Sequence, residues 1–478
     1  MKRVLSVASE AVPLIKTGGL ADVVGALPAA MAGQGWHMRL LVPGYPAVMT
    51  RIGRRDMVWA EENFFGGLGE VYLGTVDGIE VMALDAPHLF DRAGGPYSDV
   101  HGDYWDNPER FAALSWAAAV IARDGVEGWK PELLIAHDWQ AALAPAYLRY
   151  WRVDLPTVLT IHNIAFQGRV GTAKMDALRL PHEWFHPDGY EFWGDISMLK
   201  AGMMAANAIT TVSPRYAEEL MRGEFGLGLD GVIRARATAV HGILNGIDQS
   251  VWDPAADPAV MPFSAPRLAA KGRNREALLA EFGLDPTLPG PLAVLVSRLT
   301  PQKGIDLLPQ VIDEFVRLGG GLCVLGSGDG WAEQEMRALA ERHPGRVGVR
   351  IGYDEGLSHR MFAGGDAVLV PSRFEPCGLT QLYGQRYGCV PVVSAVGGLF
   401  DTVIGATPAT EAANAATGVV FHPVDALALR QALRKLVSLY QDSKGWSAMV
   451  RRGMKADWGW GRSAAAYAAL FDSLVQRS

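Results

Sequence analysis

Leu292-Ala293-Val294-Leu295-Val296-Ser297-Arg298-Leu299-Thr300-Pro301-Gln302-Lys303-Gly304 decides the fold class. Five apolar residues make a run of strand length without polar alternation, the pattern of a strand covered on both faces. A polar loop carrying Pro301 follows, and an apolar periodicity resumes beyond Gly304. That strand–loop–helix unit repeats at Leu322–Leu325, Val347–Ile351, Ala367–Val370 and Val390–Val393. Upstream, Val4–Ala8, Met38–Val42, Leu133–Ala136, Thr157–Ile161 and Ala208–Val212 follow the same rhythm. Short β-branched runs alternating with Ala/Leu-rich stretches predict an α/β protein with parallel, doubly wound sheets.

The chain has 478 residues, more than one hydrophobic core usually serves, so several domains are expected. A Pro-, Asp- and Gly-rich stretch from Asn245 to Gly290, including Trp252-Asp253-Pro254, reads as a connection with peripheral elements. The expected organisation is a first domain over 1–244, a second over 245–456, and a terminal segment over 457–478. In that last segment, Ser463–Val475 has a helical pattern after the turn Asp457-Trp458-Gly459-Trp460.

Net charge is −7 and the pI about 5.9. That argues against nucleic acid as a partner, which calls for a basic face. Cys323, Cys377 and Cys389 form no Cys-x-x-Cys pair, which suits a reducing compartment and no structural zinc. Lys2-Arg3 precedes an apolar run that Glu10 soon interrupts, too short for a secretory leader. No apolar run approaches the roughly 20 residues of a membrane helix. A cytoplasmic protein with no membrane partner is expected.

Ligands of open α/β sheets bind beyond the carboxyl ends of the strands, and nearly every distinctive polar residue falls there. Lys16-Thr17-Gly18-Gly19-Leu20-Ala21-Asp22 has a partial echo in Gly397-Gly398-Leu399-Phe400-Asp401. A glycine pair at a helix start exposes N–H groups to an anion, so both segments are candidate anion loops. Arg298 and Lys303 on one loop could straddle a diphosphate. Gly326-Ser327-Gly328-Asp329-Gly330 reads either as a phosphate or ribose cradle or as a tight turn. In Ser372-Arg373-Phe374-Glu375-Pro376-Cys377-Gly378-Leu379-Thr380-Gln381, Pro376 holds a carboxylate in an extended backbone and Gly378 is expected to open a helix. Glu375 there suits a polyol, since a carboxylate accepts two hydroxyl hydrogen bonds. His162 and Asp138, each at a strand end, could line the same sugar pocket with Asp22. Tyr97, Tyr104, Trp105 and Trp139, interspersed with carboxylates, suit a carbohydrate acceptor or ordinary packing. No spacing suits a metal site.

These segments resemble the bacterial and plant glycogen/starch synthases. The resemblance rests on Lys16–Val23, His137-Asp138-Trp139-Gln140, Thr160-Ile161-His162-Asn163, Thr211-Val212-Ser213-Pro214, Asn245-Gly246-Ile247-Asp248, Ser297–Gly304 and Pro371–Tyr383, in order along almost the whole chain. It implies the GT-B architecture: two Rossmann-like domains facing across a cleft that closes on the donor, with the last helix returning to the first domain. It implies glucose transfer from ADP-glucose to the non-reducing end of an α-1,4-glucan, with retention of configuration, no metal and no cofactor.

Carried over by position, Lys16, Gly18 and Gly19 would sit at the donor, and Asp22 would orient the glucose. Arg298 and Lys303 would neutralise the diphosphate, and Glu375 would hold glucose hydroxyls. Leu379 and Thr380 would meet the distal phosphate and ribose, and Tyr353 the adenine. His162 and Asp138 would line the sugar pocket, with further substrate contacts at Asn245, Cys377 and Gly378.

Two positions depart from related patterns. Tyr383 stands where many retaining transferases carry the second glutamate of Glu-x7-Glu, an absence common in this subfamily. Ala395-Val396 precedes the downstream glycine pair where Thr is usual, which leaves only backbone N–H groups there. The alternatives are a UDP-glucose-using glucan synthase and a catalytically silent glucan-binding protein. No pyridoxal phosphate lysine motif supports a phosphorylase, and no full glycine fingerprint supports a dehydrogenase. A nucleotide-sugar epimerase would share the fold and need no glucan. Oligomeric state stays open.

Overall fold

Apolar runs buried on both faces build a parallel sheet in each of two compact units, Met1–Gly246 with Trp460–Ser478, and Ile247–Gly459. The structure, a computed structural model, describes residues 1–52 and 55–476. Residues 477 and 478 of the expected terminal segment therefore lie outside the described residues.

In the first unit the strands are β1 (Lys2–Val7), β2 (Trp36–Pro43), β3 (Arg55–Phe64), β4 (Gly67–Val76), β5 (Ile79–Asp85), β6 (Ser98–Asp99), β7 (Gly102–Asp103), β8 (Leu133–His137), β9 (Thr157–Ile161), β10 (Arg169–Val170), β11 (Glu191–Phe192), β12 (Asp195–Ser197), β13 (Ala208–Thr211) and β14 (Val240–Gly242). The main sheet runs β14-β13-β9-β8-β1-β2-β5-β4-β3. It is parallel from β14 through β5 and antiparallel across β5, β4 and β3.

That antiparallel edge extends the expected parallel sheet. Its hairpins turn at Phe65-Gly66 and Asp77-Gly78, all with positive φ, the geometry of tight primed turns. The terminal helix Trp460–Val475 belongs to this unit. Its Phe471 ring lies 5.3 Å from Trp36, and Asp472 pairs with Lys2 at 2.7 Å.

In the second unit β15 (Leu292–Val296), β16 (Gly321–Gly326), β17 (Val347–Ile351), β18 (Ala367–Val370), β19 (Val390–Ser394) and β20 (Val419–Phe421) form an all-parallel sheet ordered β17-β16-β15-β18-β19-β20. Strand β15 shows why its sequence is continuously apolar. Val294 enters one core cluster with Met361 and Tyr387, while Ala293 and Leu295 enter a separate one with Leu308 and Leu433.

The stretch 245–290 is more than a connection. It contains the helix Ala269–Glu281, and Trp252 is stacked against both His359 (3.9 Å) and Tyr383 (3.7 Å). Among the described residues, no helix is long and apolar enough to cross a membrane.

The strand order reverses beside β15 in the second sheet and beside β1 in the first. At such a switch point neighbouring loops splay apart and leave a crevice. The loops after β15 and β18 meet at the first, and those after β1 and β8 at the second.

Candidate active site

In the second unit, Gln302 Nε2 donates to the Phe374 carbonyl at 3.0 Å, and Arg373 N–H donates to the Gln302 carbonyl at 2.8 Å. The Arg373 guanidinium forks onto Asp306 at 2.6 and 2.7 Å. Arg373 is thus committed to tying two loops together. Those ties bring Lys303 Nζ onto the Glu375 carboxylate, which also accepts from Ser372 Oγ at 2.9 Å. The two residues expected to act separately are one largely buried ion pair.

Lys303, Glu375, Gly378 and Thr380 line a recess of about 20 Å³ with Ser297 and Ser372. Arg298 is exposed, and its guanidinium meets no hydrogen-bond partner among the described residues. Tyr353, just beyond β17, is 76% exposed, with its hydroxyl on Glu355 at 2.8 Å.

Gly378 does not open a helix, as had been expected. It sits at φ +71, and the helix starts at Thr380. Gln381, which received no role from the sequence, shapes this turn. Its amide donates to the carbonyls of Cys377 (3.2 Å) and Gly378 (2.8 Å). Cys377 itself is buried, and Leu379 is half-buried at the cap of that helix. Tyr383 stacks on Trp252, so its ring belongs to the core.

The glycine-rich segments divide sharply once packing is known. A Cβ on Gly326 would lie 2.0 Å from the Ser297 carbonyl oxygen, and one on Gly328 would lie 2.3 Å from that of Leu299. Those glycines let two loops touch, which favours the tight-turn alternative over a cradle. A Cβ on Gly397 would lie 2.0 Å from the Glu375 carbonyl oxygen, and one on Gly398 would lie 2.2 Å from that of Cys377. The Gly398 N–H donates to the Glu375 and Pro376 carbonyls at 3.2 and 3.0 Å. The downstream pair is therefore a packing device, and its expected role as an anion loop is corrected. Gly18 and Gly19 are the opposite case, since a Cβ on either would meet nothing within 4 Å. Gly18 is in extended backbone. Neither conformation nor internal packing calls for glycine at these two positions, and the space beside them is open.

In the first unit a buried residue missed by the sequence reading, Glu10, organises the Lys16–Gly19 loop. Its carboxylate accepts from Thr17 Oγ1 at 2.7 Å, Gly18 N–H at 3.3 Å and Tyr97 hydroxyl at 2.8 Å, as well as from Thr17 N–H. The only local signal was a carboxylate inside an otherwise apolar strand end. Tyr97 is thereby hydrogen-bonded within the protein, and the half-buried Trp139 ring lies 5.1 Å from Phe111. Tyr104 donates to the Ala93 carbonyl at 2.9 Å; Trp105 is 79% exposed. Lys16 pairs with Asp22 at 2.8 Å, so these two residues also arrive as an ion pair.

Asp138 and His162 meet at the ends of β8 and β9. Asp138, at φ +55, accepts from the His162 N–H at 2.7 Å and the Asn163 N–H at 3.4 Å. A hydrogen bond of 2.9 Å joins His162 to His137, and His137 reaches Ser6 at 3.2 Å. Burial pushes His137 down to about 3 and holds His162 well below its ordinary value, helped by His137 beside it. Both rings are neutral at pH 7. Asn245 is buried, and its Oδ1 has no hydrogen-bond partner among the described residues, an orphaned acceptor of the kind a ligand satisfies. Among the described residues, no group of three His, Cys, Asp or Glu could hold a metal ion.

Burial also pushes the Asp138 carboxyl up to about 7. A raised carboxyl favours the fold while protonated, and that advantage is lost as pH rises from the ordinary carboxylate range, near about 4, through about 7. Asp138→Asn keeps the acceptor and carries no charge. Its thermal midpoint should gain on the parent progressively across that window, and a pH-independent difference would refute the raised value.

Two family models match the chain: the starch synthase catalytic domain over residues 3–235 and the glycosyl transferases group 1 over residues 284–452. A glycogen synthase of Cereibacter sphaeroides is 58% identical over 475 residues, 99% of this chain and 98% of the relative. One of Jannaschia sp. is 54% identical over 478 residues and the whole of both chains. Among solved structures, the catalytic domain of starch synthase IV from Arabidopsis thaliana, bound to ADP and acarbose, superposes with a TM-score of 0.89 at 31% identity over the whole of both chains. A sucrose-phosphate synthase from Thermosynechococcus elongatus shares the fold, with a TM-score of 0.61 at 19% identity.

Proposed function

The chain belongs to the glycogen/starch synthase family, with two GT-B glycosyltransferase domains, and from that premise we propose that it transfers glucose from ADP-glucose to the non-reducing end of an α-1,4-glucan. It is a glycosyltransferase of glycogen biosynthesis. The observation that carries the site assignment is the Lys303–Glu375 pair at the switch point of the second sheet. A cation and a carboxylate side by side suit a ligand that is anionic at one end and a polyol at the other. The orphaned Asn245 acceptor and the open space beside Gly18 and Gly19 support substrate contacts in the first unit.

We assign the diphosphate to Arg298, Lys303 and the backbone of Gly378, Leu379 and Thr380, and the adenine to the exposed Tyr353 ring. Glu375 accepts from glucose hydroxyls once Lys303 turns to phosphate. Asp22, Asp138 and His162 are assigned to the sugar, and Lys16 to the donor. Negative charge develops on the departing diphosphate, and preorganised cations and N–H groups stabilise it. The sugar passes through an oxocarbenium-like state. We favour front-side attack by the acceptor hydroxyl, its proton leaving to the departing phosphate, which retains configuration. Trapping a glucosyl adduct on Asp138 or Glu375 would overturn this step. We place the reaction in the cytoplasm and assign it no metal or cofactor.

The test is transfer of glucose onto glycogen from ADP-glucose and from UDP-glucose, each with and without a chelator. Transfer from ADP-glucose that persists in chelator is the expected result. Preference for UDP-glucose would overturn the donor assignment, loss in chelator the metal-free one, and no transfer the catalytic one.

A further inference from the structure

The segment that opens with Trp252-Asp253-Pro254 fastens one helix of the second unit at three places. That helix is Thr380–Arg386, with Tyr387 at its cap. Trp252 is stacked between Tyr383 at 3.7 Å and His359 at 3.9 Å, with interplanar angles of 17° and 14°. Arg386 Nε donates to the Trp252 carbonyl at 3.2 Å, and the same guanidinium donates to Asp253 at 2.9 Å. Asp257 accepts from the Tyr387 hydroxyl and lies 2.6 Å from His359 Nδ1.

This fastening is more polar than core packing requires. Asp257 is 5% exposed and His359 7%, and apolar side chains would fill such a space with no charge to desolvate. A satisfied buried network instead favours one geometry, and here it keeps the stacked rings from sliding over one another.

The fastened helix leads into the site. Tyr387 N–H donates to the Tyr383 carbonyl at 3.0 Å, and Tyr383 N–H to the Leu379 carbonyl at 2.9 Å. Leu379 stands between Gly378 and Thr380, which line the recess of Lys303 and Glu375. A shift of Tyr383 therefore moves the backbone assigned to the diphosphate.

We propose that Trp252 is a positioning residue for the donor: braced by His359 and Asp257, it sets through Tyr383 where Gly378, Leu379 and Thr380 meet the diphosphate. The inference rests on the proposed function, which puts the diphosphate at that backbone. The ring that stands in place of the second glutamate of Glu-x7-Glu then contributes by holding the helix.

The test measures KM for ADP-glucose, KM for glycogen and the Kd of ADP in the full chain and its variants. Trp252→Ala raises KM for ADP-glucose and the Kd of ADP together by about tenfold, the effect of a slightly misplaced binding group, with KM for glycogen unchanged. Trp252→Phe keeps a stacked ring and recovers most of the loss. Tyr383→Leu reproduces the shift, and combining it with Trp252→Ala adds little, because the two act through one contact. Leu279→Ala, in the same core cluster and 1% exposed, controls for stability: it unfolds earlier with both donor constants unchanged. Where Trp252→Ala does not fold, Tyr383→Leu carries the same expectation.

A Trp252→Ala that unfolds earlier yet keeps the parent's donor constants would reduce Trp252 to packing and overturn the proposal. An equal rise in KM for glycogen would show general loss of the site and overturn it too. Full additivity of the two substitutions would overturn the route through Tyr383. A parent that binds ADP and transfers no glucose fails the proposed function alone, and the Kd of ADP still reads the positioning. A parent that binds no ADP overturns the donor assignment and this inference with it.

Discussion

Lys303→Ala lowers kcat/KM for the nucleotide sugar by about a thousandfold, the scale of losing one preorganised charge partner at a leaving group. Stability falls as well. The Lys303 and Glu375 side chains are 17% and 11% exposed, so removing the ammonium leaves a carboxylate largely buried, with Ser372 Oγ its remaining side-chain donor. Breaking such a pair costs about 3 to 5 kcal/mol. The two effects separate in the double variant Lys303→Met with Glu375→Gln. It removes both charges, so the unfolding midpoint should recover while activity stays lost. Full activity in Lys303→Ala would remove Lys303 from the diphosphate site. Recovery of activity in the double variant would show that the pair serves the fold alone.

The two glycine pairs make the second large contrast. Gly398→Ala places a Cβ about where the Cys377 carbonyl oxygen sits, 2.2 Å away, and Gly397→Ala meets the Glu375 carbonyl at 2.0 Å from a positive φ. Backbone has to move in either case, so each substitution should destabilise by about 3 kcal/mol. Gly19→Ala meets nothing and lies at the first turn of the helix Gly19–Ala32. It should leave stability unchanged or raise it by about 0.5 kcal/mol. Its loss is catalytic, about a hundredfold in kcat/KM from a displaced donor. Denaturant unfolding with donor kinetics on the three variants decides the matter. A fully active Gly19→Ala would end the assignment of a ligand to that backbone, and an unperturbed Gly398→Ala would end the packing account of the downstream pair.

Much of the site was legible because its residues lie on loops after apolar strands, and strand periodicity locates such loops. The antiparallel edge β3–β5 was missed although Asp77-Gly78 is a hairpin signal, because the strands around it alternate weakly. Glu10 was missed because a lone carboxylate after an apolar run has no spacing to read. The echo at Gly397-Gly398 misled because a glycine that admits a ligand and one that admits a neighbouring carbonyl are the same letter.

The amino-acid pattern by itself determined the alternation of buried strands and helices, the class of fold, and the family. Burial on both faces imposes a continuous apolar run that survives in one dimension. Strand order was decided only in three dimensions. It places β18 beside β15, so that Glu375 comes to Lys303 from 72 residues away. It also places β8 beside β1, so that His137 comes to Ser6 across 131. Which charges are paired and which glycines are packed follow from that order, because electrostatic and steric contacts depend on distance in space, and sequence separation carries no information about it.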